Sequence, residues 1–222
     1  MHIGVLGTGT VGRTLAQALV DCGHEVRMGS RAAGNDKAVA WAEGAGPLAS
    51  EGSFADAAAF GALAINATAG AASLEVLEAA GAEQLAGKVL MDVSNPLDFS
   101  KGMPPTLTVC NDDSLAEQLQ RAFAEVRVVK ALNTVTAAVM VQPDLVPGSH
   151  TMFMCGDDAA AKEQVGLLLA ELGWTAGMVL DLGDLTAARG MEMYLPLWLR
   201  LWGATGTAVL NVELRSGPRP EQ

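Results

Sequence analysis

Short apolar runs alternate along the chain with longer stretches in which apolar residues recur every three or four positions. The runs Ile3 to Leu6, Glu25 to Gly29, Leu63 to Ala67, Val89 to Val93 and Val126 to Leu132 predict strands. Two more, Thr151 to Cys155 and Met178 to Leu182, come after a Pro- and Gly-containing turn from Pro143 to Ser149 and are candidates to extend the same sheet. Helical spacing predicts helices from Val11 to Cys22, Asp36 to Glu43, Ser73 to Gly81, Ser114 to Phe123 and Ala159 to Leu172. Strand and helix in alternation imply an α/β fold, doubly wound around a mostly parallel sheet, rather than separate α and β halves.

The end of the chain changes character. Leu185 to Leu201 is a long apolar-rich helical pattern with no strand after it to cover, and Met191, Leu195, Trp198 and Trp202 recur in it at helical spacing. That stripe is expected to be core or subunit interface, with the wall of a substrate pocket as the sharper alternative. Residues 1–182 therefore read as one α/β unit and residues 183–222 as a short helical extension, with disorder expected from Gly217 to Gln222.

Composition narrows the function classes. Half of the 222 residues are apolar and 18% are charged, which suits a compact domain with an ample core. With 14 Lys and Arg against 25 Asp and Glu the net charge is -11, which argues against a general nucleic-acid or anionic-membrane binder and leaves small molecules as the expected partners. Cys22, Cys110 and Cys155 are widely spaced and form no CxxC, so neither a disulfide framework nor a metal site is suggested, and a cytoplasmic location fits. Arg200 and several Gly and Thr residues interrupt the most apolar late segment, Leu195 to Val212, which makes it a poor membrane span.

The chemistry is concentrated near the start. Gly7, Thr8, Gly9, Thr10, Val11 and Gly12 spell GxGxxG directly after an apolar strand and at the opening of an Ala- and Leu-rich helix. Gly7 allows a tight turn, Gly9 lets a pyrophosphate approach backbone, and Gly12 allows close packing of helix on strand, while the amides of Thr10 and Val11 face the phosphates. At the end of the second strand, where NAD-specific sites place a carboxylate, the chain has Gly29, Ser30 and Arg31. Ser30 can donate its hydroxyl, Arg31 can pair with a 2′-phosphate while stacking on adenine, and Lys37 follows about a turn later, so NADP(H) is favoured over NAD. In an acidic chain, cations placed there are informative; the alternative is that Arg31 and Lys37 are solvated surface charges.

The chain resembles the F420H2:NADP oxidoreductases nearly end to end. The resemblance rests on IGVLGTGTVGRTLA and GHEVRMGSR, which many NADP enzymes share. More specific are DVSNPL at Asp92 to Leu97, VVKALNT at Val128 to Thr134, MFMCGDD, and LGDLTAARGMEMYLPLWLRLW. It implies a Rossmann domain plus a small C-terminal part, commonly dimeric, in which hydride passes between nicotinamide C4 and deazaflavin C5. By the same resemblance Thr8, Thr10, Val11, Ser30, Arg31 and Lys37 bind the adenosine and phosphate end. Ala67, Thr68, Ala69, Ser94, Asn95 and Pro96 line the ribose and nicotinamide side at the carboxyl ends of the strands. Asn133 and Thr134, with Met193 and Leu197 on the terminal helix, face the second substrate, coenzyme F420 or a similar acceptor. Archaeal members carry a histidine near the position of Asn133, so a titrating group is missing here, and His2, His24 and His150 lie far from the crevice. Hydride transfer does not require one, because the nicotinamide carries the chemistry and the protein positions two rings and excludes water.

Two alternatives stay open. One keeps the nucleotide site but gives it another small acceptor, such as a flavin, an imine, a ketone or a ferric chelate. Only about 40 residues follow Leu182, which is short of the large helical domain, roughly a hundred residues, of imine and β-hydroxyacid reductases. The other is a catalytically silent NADP(H) sensor whose terminal helix binds a partner.

Overall fold

A computed structural model describes residues 1–218. Of the tail expected to be disordered, residues 219–222 lie outside the described residues. In chain order the elements are β1 (His2–Leu6), α1 (Thr10–Asp21), β2 (Glu25–Ser30), α2 (Asp36–Ala45), β3 (Ala49–Ser53), α3 (Phe54–Phe60), β4 (Leu63–Asn66), α4 (Ser73–Ala80), α5 (Ala82–Leu85) and β5 (Val89–Asp92). They continue with β6 (Leu97–Asp98), β7 (Thr106–Leu107), α6 (Leu115–Ala122), β8 (Arg127–Ala131), α7 (Ala137–Val141), β9 (Met152–Gly156), α8 (Ala159–Glu171), β10 (Val179–Asp181) and α9 (Ala188–Thr205).

The main sheet has eight strands in the order β10, β9, β8, β5, β4, β1, β2, β3. From β8 to β3 all pairs are parallel, β8 meets β9 antiparallel, and β10 runs parallel to β9. β4 and β5 are buried at every position, as expected for central strands with helices on both faces. In α1 the buried positions Gly12, Leu15, Ala16, Leu19 and Val20 make one stripe at helical spacing. One core lies under α1, α2 and α8 and a second on the opposite face under α3, α4 and α6, the latter taking in Met191 of α9.

The structure corrects the expected list of elements in several places. The stretch 49–60 carried no predicted element, yet it forms β3 and α3. β3 reads ASEGS, without an apolar run, and is a strand because β2 pairs with it from Val26 to Ser30. The terminal helix begins as a 3-10 turn, Leu185–Ala187, and its α-helical part runs past Leu201 to Thr205. Among the described residues no helix is long and apolar enough to cross a membrane.

α3 starts at a capping box: Ser53 Oγ accepts from the Asp56 amide at 3.1 Å, and the Asp56 carboxylate accepts from the Ser53 amide at 2.8 Å. Ser53→Ala removes one half of the box. It should lower unfolding stability by about 1 kcal/mol, read as a lower urea midpoint with an unchanged slope.

Candidate functional site

Strand order reverses between β1 and β4, and a crevice opens at their carboxyl ends. The GxGxxG turn sits there. Gly7 has φ of +122° and donates its amide to the Gly29 carbonyl at 3.0 Å. A Cβ on Gly7 would stand 2.6 Å from the Ala67 carbonyl oxygen, and one on Gly12 would stand 2.1 Å from that of Gly7, so both positions exclude side chains on steric grounds. Gly9 differs: its Cβ would meet nothing within 4 Å. It is the N-cap of α1 with no side-chain cap, and the first helical bond within the turn is Arg13 N to Gly9 O at 3.0 Å. The first-turn amides are thus left for a ligand at the positive end of a 12-residue helix, which fits a dinucleotide diphosphate.

A cavity of about 630 Å³ runs from this turn across the sheet edge. Of the residues singled out from sequence, Thr10, Val11, Ala67, Thr68, Ala69, Ser94, Asn95 and Asn133 line it. Gly7, Thr8, Gly9 and Gly12 build the turn beside it, and Pro96 and Thr134 are buried next to their lining neighbours. Ser30 is buried and its hydroxyl donates to the Ala32 carbonyl at 2.6 Å, so in this conformation that proton is already committed. Arg31 and Lys37 are exposed, and among the described residues neither side chain has an ion-pair or hydrogen-bond partner. Asn35 caps α2 with its side chain, accepting from the Lys37 and Ala38 amides.

The placement of Met193 and Leu197 departs from expectation. They are 37% and 55% exposed, and neither lines the cavity. From α9 the lining residues are Leu195 and Trp198. Two residues along a helix is a rotation of about 200°, which puts Met193 and Leu197 on the face opposite Met191 and Leu195. Of the helical stripe read from sequence, Leu195 and Trp198 line the cavity, while Met193 and Leu197, expected to face the acceptor, lie on the outer face. Sequence reasoning also missed Leu97, Asp98 and Phe99 of the β6–β7 hairpin and the stretch Val135, Thr136, Ala137 and Met140 at α7; neither segment has a periodicity that marks it.

Electrostatically the cleft is nearly bare. Among the described residues lining it, Asp98 is the one ionisable side chain. The Ser100 amide and hydroxyl donate to the Asp98 carboxylate at 2.8 and 2.9 Å and hold its pKa below the usual aspartate value, so at neutral pH it is a carboxylate with no proton to give. Polar order is instead supplied by amides. Asn133 Nδ2 donates to Asn95 Oδ1 at 2.9 Å and to the Met191 carbonyl at 3.1 Å, and Asn95 Nδ2 donates to the Asn133 carbonyl at 2.8 Å. Just before Asn133, Leu132 holds φ of +61° while fully buried, a strained conformation for a bulky residue that persists only where its surroundings over-determine it.

The model for NADP oxidoreductase coenzyme F420-dependent matches residues 2–96. A solved structure from Arthrobacter sp. FB24, provisionally described as an F420-dependent NADP reductase, is 53% identical. It covers 96% of this chain and 99% of its own, with a TM-score of 0.91. The chain belongs to the F420-dependent NADP oxidoreductase family. Within that family, the F420-dependent NADP reductase of Methanocaldococcus jannaschii is 31% identical over 60% of this chain and 60% of its own. Metalloreductase STEAP3 of Rattus norvegicus is 33% identical over 88% of this chain, and the chain spans only 37% of that relative's length. A reductive aminase from Aspergillus terreus solved with NADPH shares the fold, with a TM-score of 0.67 at 21% identity over 92% of this chain and 62% of that one.

The two glycines separate space for the fold from space for the ligand. Gly9→Ala should leave the melting temperature unchanged and weaken dinucleotide binding about tenfold or more, the loss expected for one charge-assisted phosphate contact. Gly12→Ala should lower the melting temperature as well, because its Cβ meets backbone. Thermal melts and titration calorimetry read the two effects apart.

Proposed function

We propose that this protein transfers hydride between NADP(H) and a deazaflavin of the F420 type. The observation that carries the reading is the cleft itself: about 630 Å³, continuous with the uncapped start of α1, walled largely by apolar groups and lined, among the described residues, by a single carboxylate. Such a space suits two stacked flat rings exchanging hydride, a step that asks for orientation and dryness more than for an acid and base pair. The M. jannaschii and Arthrobacter relatives, named for that substrate pair, support the choice of acceptor.

In this reading each part of the chain has a defined task. The Thr10 and Val11 amides and the helix dipole hold the diphosphate, and Arg31 pairs with the 2′-phosphate. Ala67 and Ala69 offer a low wall against which a ring can lie flat. When bound, the nicotinamide supplies the hydride. Asn95 and Asn133 fix the ring plane through their mutual hydrogen bonds, and Met140, Leu195 and Trp198 keep water out. A proton taken up by the acceptor comes from solvent, because Asp98 is held ionised.

A second reading, reduction of a flavin or a ferric chelate, is favoured by the match to STEAP3 across 88% of the chain. Mixing protein and NADPH with oxidised F420 in a stopped-flow spectrometer should bleach the deazaflavin absorbance within the first turnover. Absence of bleaching at saturating NADPH, together with turnover on a flavin, replaces the first reading with the second. Binding without turnover on any acceptor points to a sensor instead.

Arg31→Ala should raise the NADPH dissociation constant roughly ten- to a hundredfold, the value of a contact of about 1.5–3 kcal/mol to a charged group, and leave NADH binding little changed. Equal weakening of both nucleotides removes Arg31 from phosphate recognition.

A further inference from the structure

Lys130 is wholly buried beneath the cleft, two residues before the strained Leu132 and three before Asn133. Its ammonium has three protons and finds three acceptors: Asp92 Oδ2 at 2.7 Å, Glu192 Oε1 at 2.8 Å and the Ser94 carbonyl at 2.6 Å. These come from the end of β5, the loop after it and α9. Glu192 is held from a further side, where the Leu115 amide donates to Oε2 at 2.8 Å and the Ala116 amide to Oε1 at 3.2 Å. Two carboxylates against one ammonium leave one negative charge, and the positive end of α6 offsets it. Burial alone would push the Lys130 pKa down; the two carboxylates outweigh that and hold it above the usual lysine value.

The cluster continues to the cavity wall. Asp92 Oδ1 accepts from Ser94 Oγ at 2.7 Å and Asn66 Nδ2 at 2.9 Å, and Asn66 Oδ1 accepts from Thr68 Oγ1 at 2.7 Å. Ser94 and Thr68 both line the cavity. A hydrogen-bonded path therefore links α9 to the ends of β8, β5 and β4 with every charged atom satisfied.

Stability is a poor account of this arrangement, since a buried ion cluster is often matched or bettered by apolar residues of the same volume. Fixing a geometry is a better one. Pro196 has no N–H to give the Glu192 carbonyl, so α9 is weakened at the turn that bears Leu195, and the Glu192 side chain anchors it there. Leu132 stays in its left-handed conformation between Lys130, fixed below, and Asn133, tied to Asn95 and Met191.

The geometry points to Lys130 as a positioning residue for hydride transfer, which with Asp92 and Glu192 pins α9 and the Asn95 and Asn133 loops into one rigid acceptor-side wall. The inference rests on the hydride-transfer reading for its rates, and on the hydrogen bonds alone for the rigidity of the wall.

Two variants test it. Lys130→Met keeps the stem but leaves two carboxylates facing each other, so it is compared with the neutral triple Lys130→Met, Asp92→Asn, Glu192→Gln. In the triple variant NADPH affinity should stay near that of wild type, because the diphosphate site lies at α1. F420 binding, read by quenching of its own fluorescence, should weaken, and kcat should fall about ten- to a hundredfold, the scale of a 1 Å misplacement. Hydrogen exchange should speed up at residues 93–97, 131–136 and 189–199. A triple variant with wild-type exchange and kcat overturns the inference whatever its melting temperature, since a cluster that serves only the fold would move stability alone. If neither variant folds, Glu192→Asp, which keeps the charge and shortens the reach, is read the same way. Wild-type protein that leaves F420 unreduced sinks the acceptor assignment instead, and the exchange pattern then decides the rigidity claim by itself.

Discussion

Helix α1 can begin at the carboxyl edge of β1 only because Gly12 presents no side chain to the Gly7 carbonyl, 2.1 Å from where a Cβ would stand, and Gly7 none to the Ala67 carbonyl. That contact brings β1, β4 and the start of α1 to one point. It also leaves the first-turn amides of α1 uncovered over the crevice. The proposed dinucleotide site is thus a by-product of how the central strands and their first helix are forced to meet. A single extra carbon at Gly12 would move the helix and with it the donors.

Around this point charge is distributed unevenly. The chain carries a net charge of -11, yet among the described residues the cavity itself is lined by one carboxylate, and Arg31 and Lys37, without an ion-pair partner there, stand beyond the end of β2. The remaining strong electrostatics are underneath, in the saturated cluster of Lys130, Asp92 and Glu192. Such a division suits a reaction in which two rings do the chemistry and the protein fixes their spacing: charges within the cleft would attract water and ions, whereas buried and paired below it they stiffen the walls.

Much of this was legible locally. GxGxxG after a strand, the Gly29 to Arg31 ending of β2 and the period-3.6 stripe of α1 all follow from neighbours in sequence, and the structure places them as expected, with strand ends shifted by a residue or two. β3 was not legible, because ASEGS has no apolar alternation and owes its conformation to the hydrogen bonds of β2. The antiparallel β9 was read as a strand without its direction, since direction depends on where the chain returns to the sheet.

The sequence by itself determined the fold class, the glycine turn and the family, because each is written in short-range patterns that sterics and helix geometry decode one segment at a time. Only the tertiary structure decided which face of α9 closes the cavity, turning Leu195 and Trp198 inward and Met193 and Leu197 outward. It alone also brought Lys130 between Asp92 and Glu192, residues 38 and 62 positions away. Packing direction and long-range charge pairing depend on three-dimensional closure, and no local pattern in the chain encodes either.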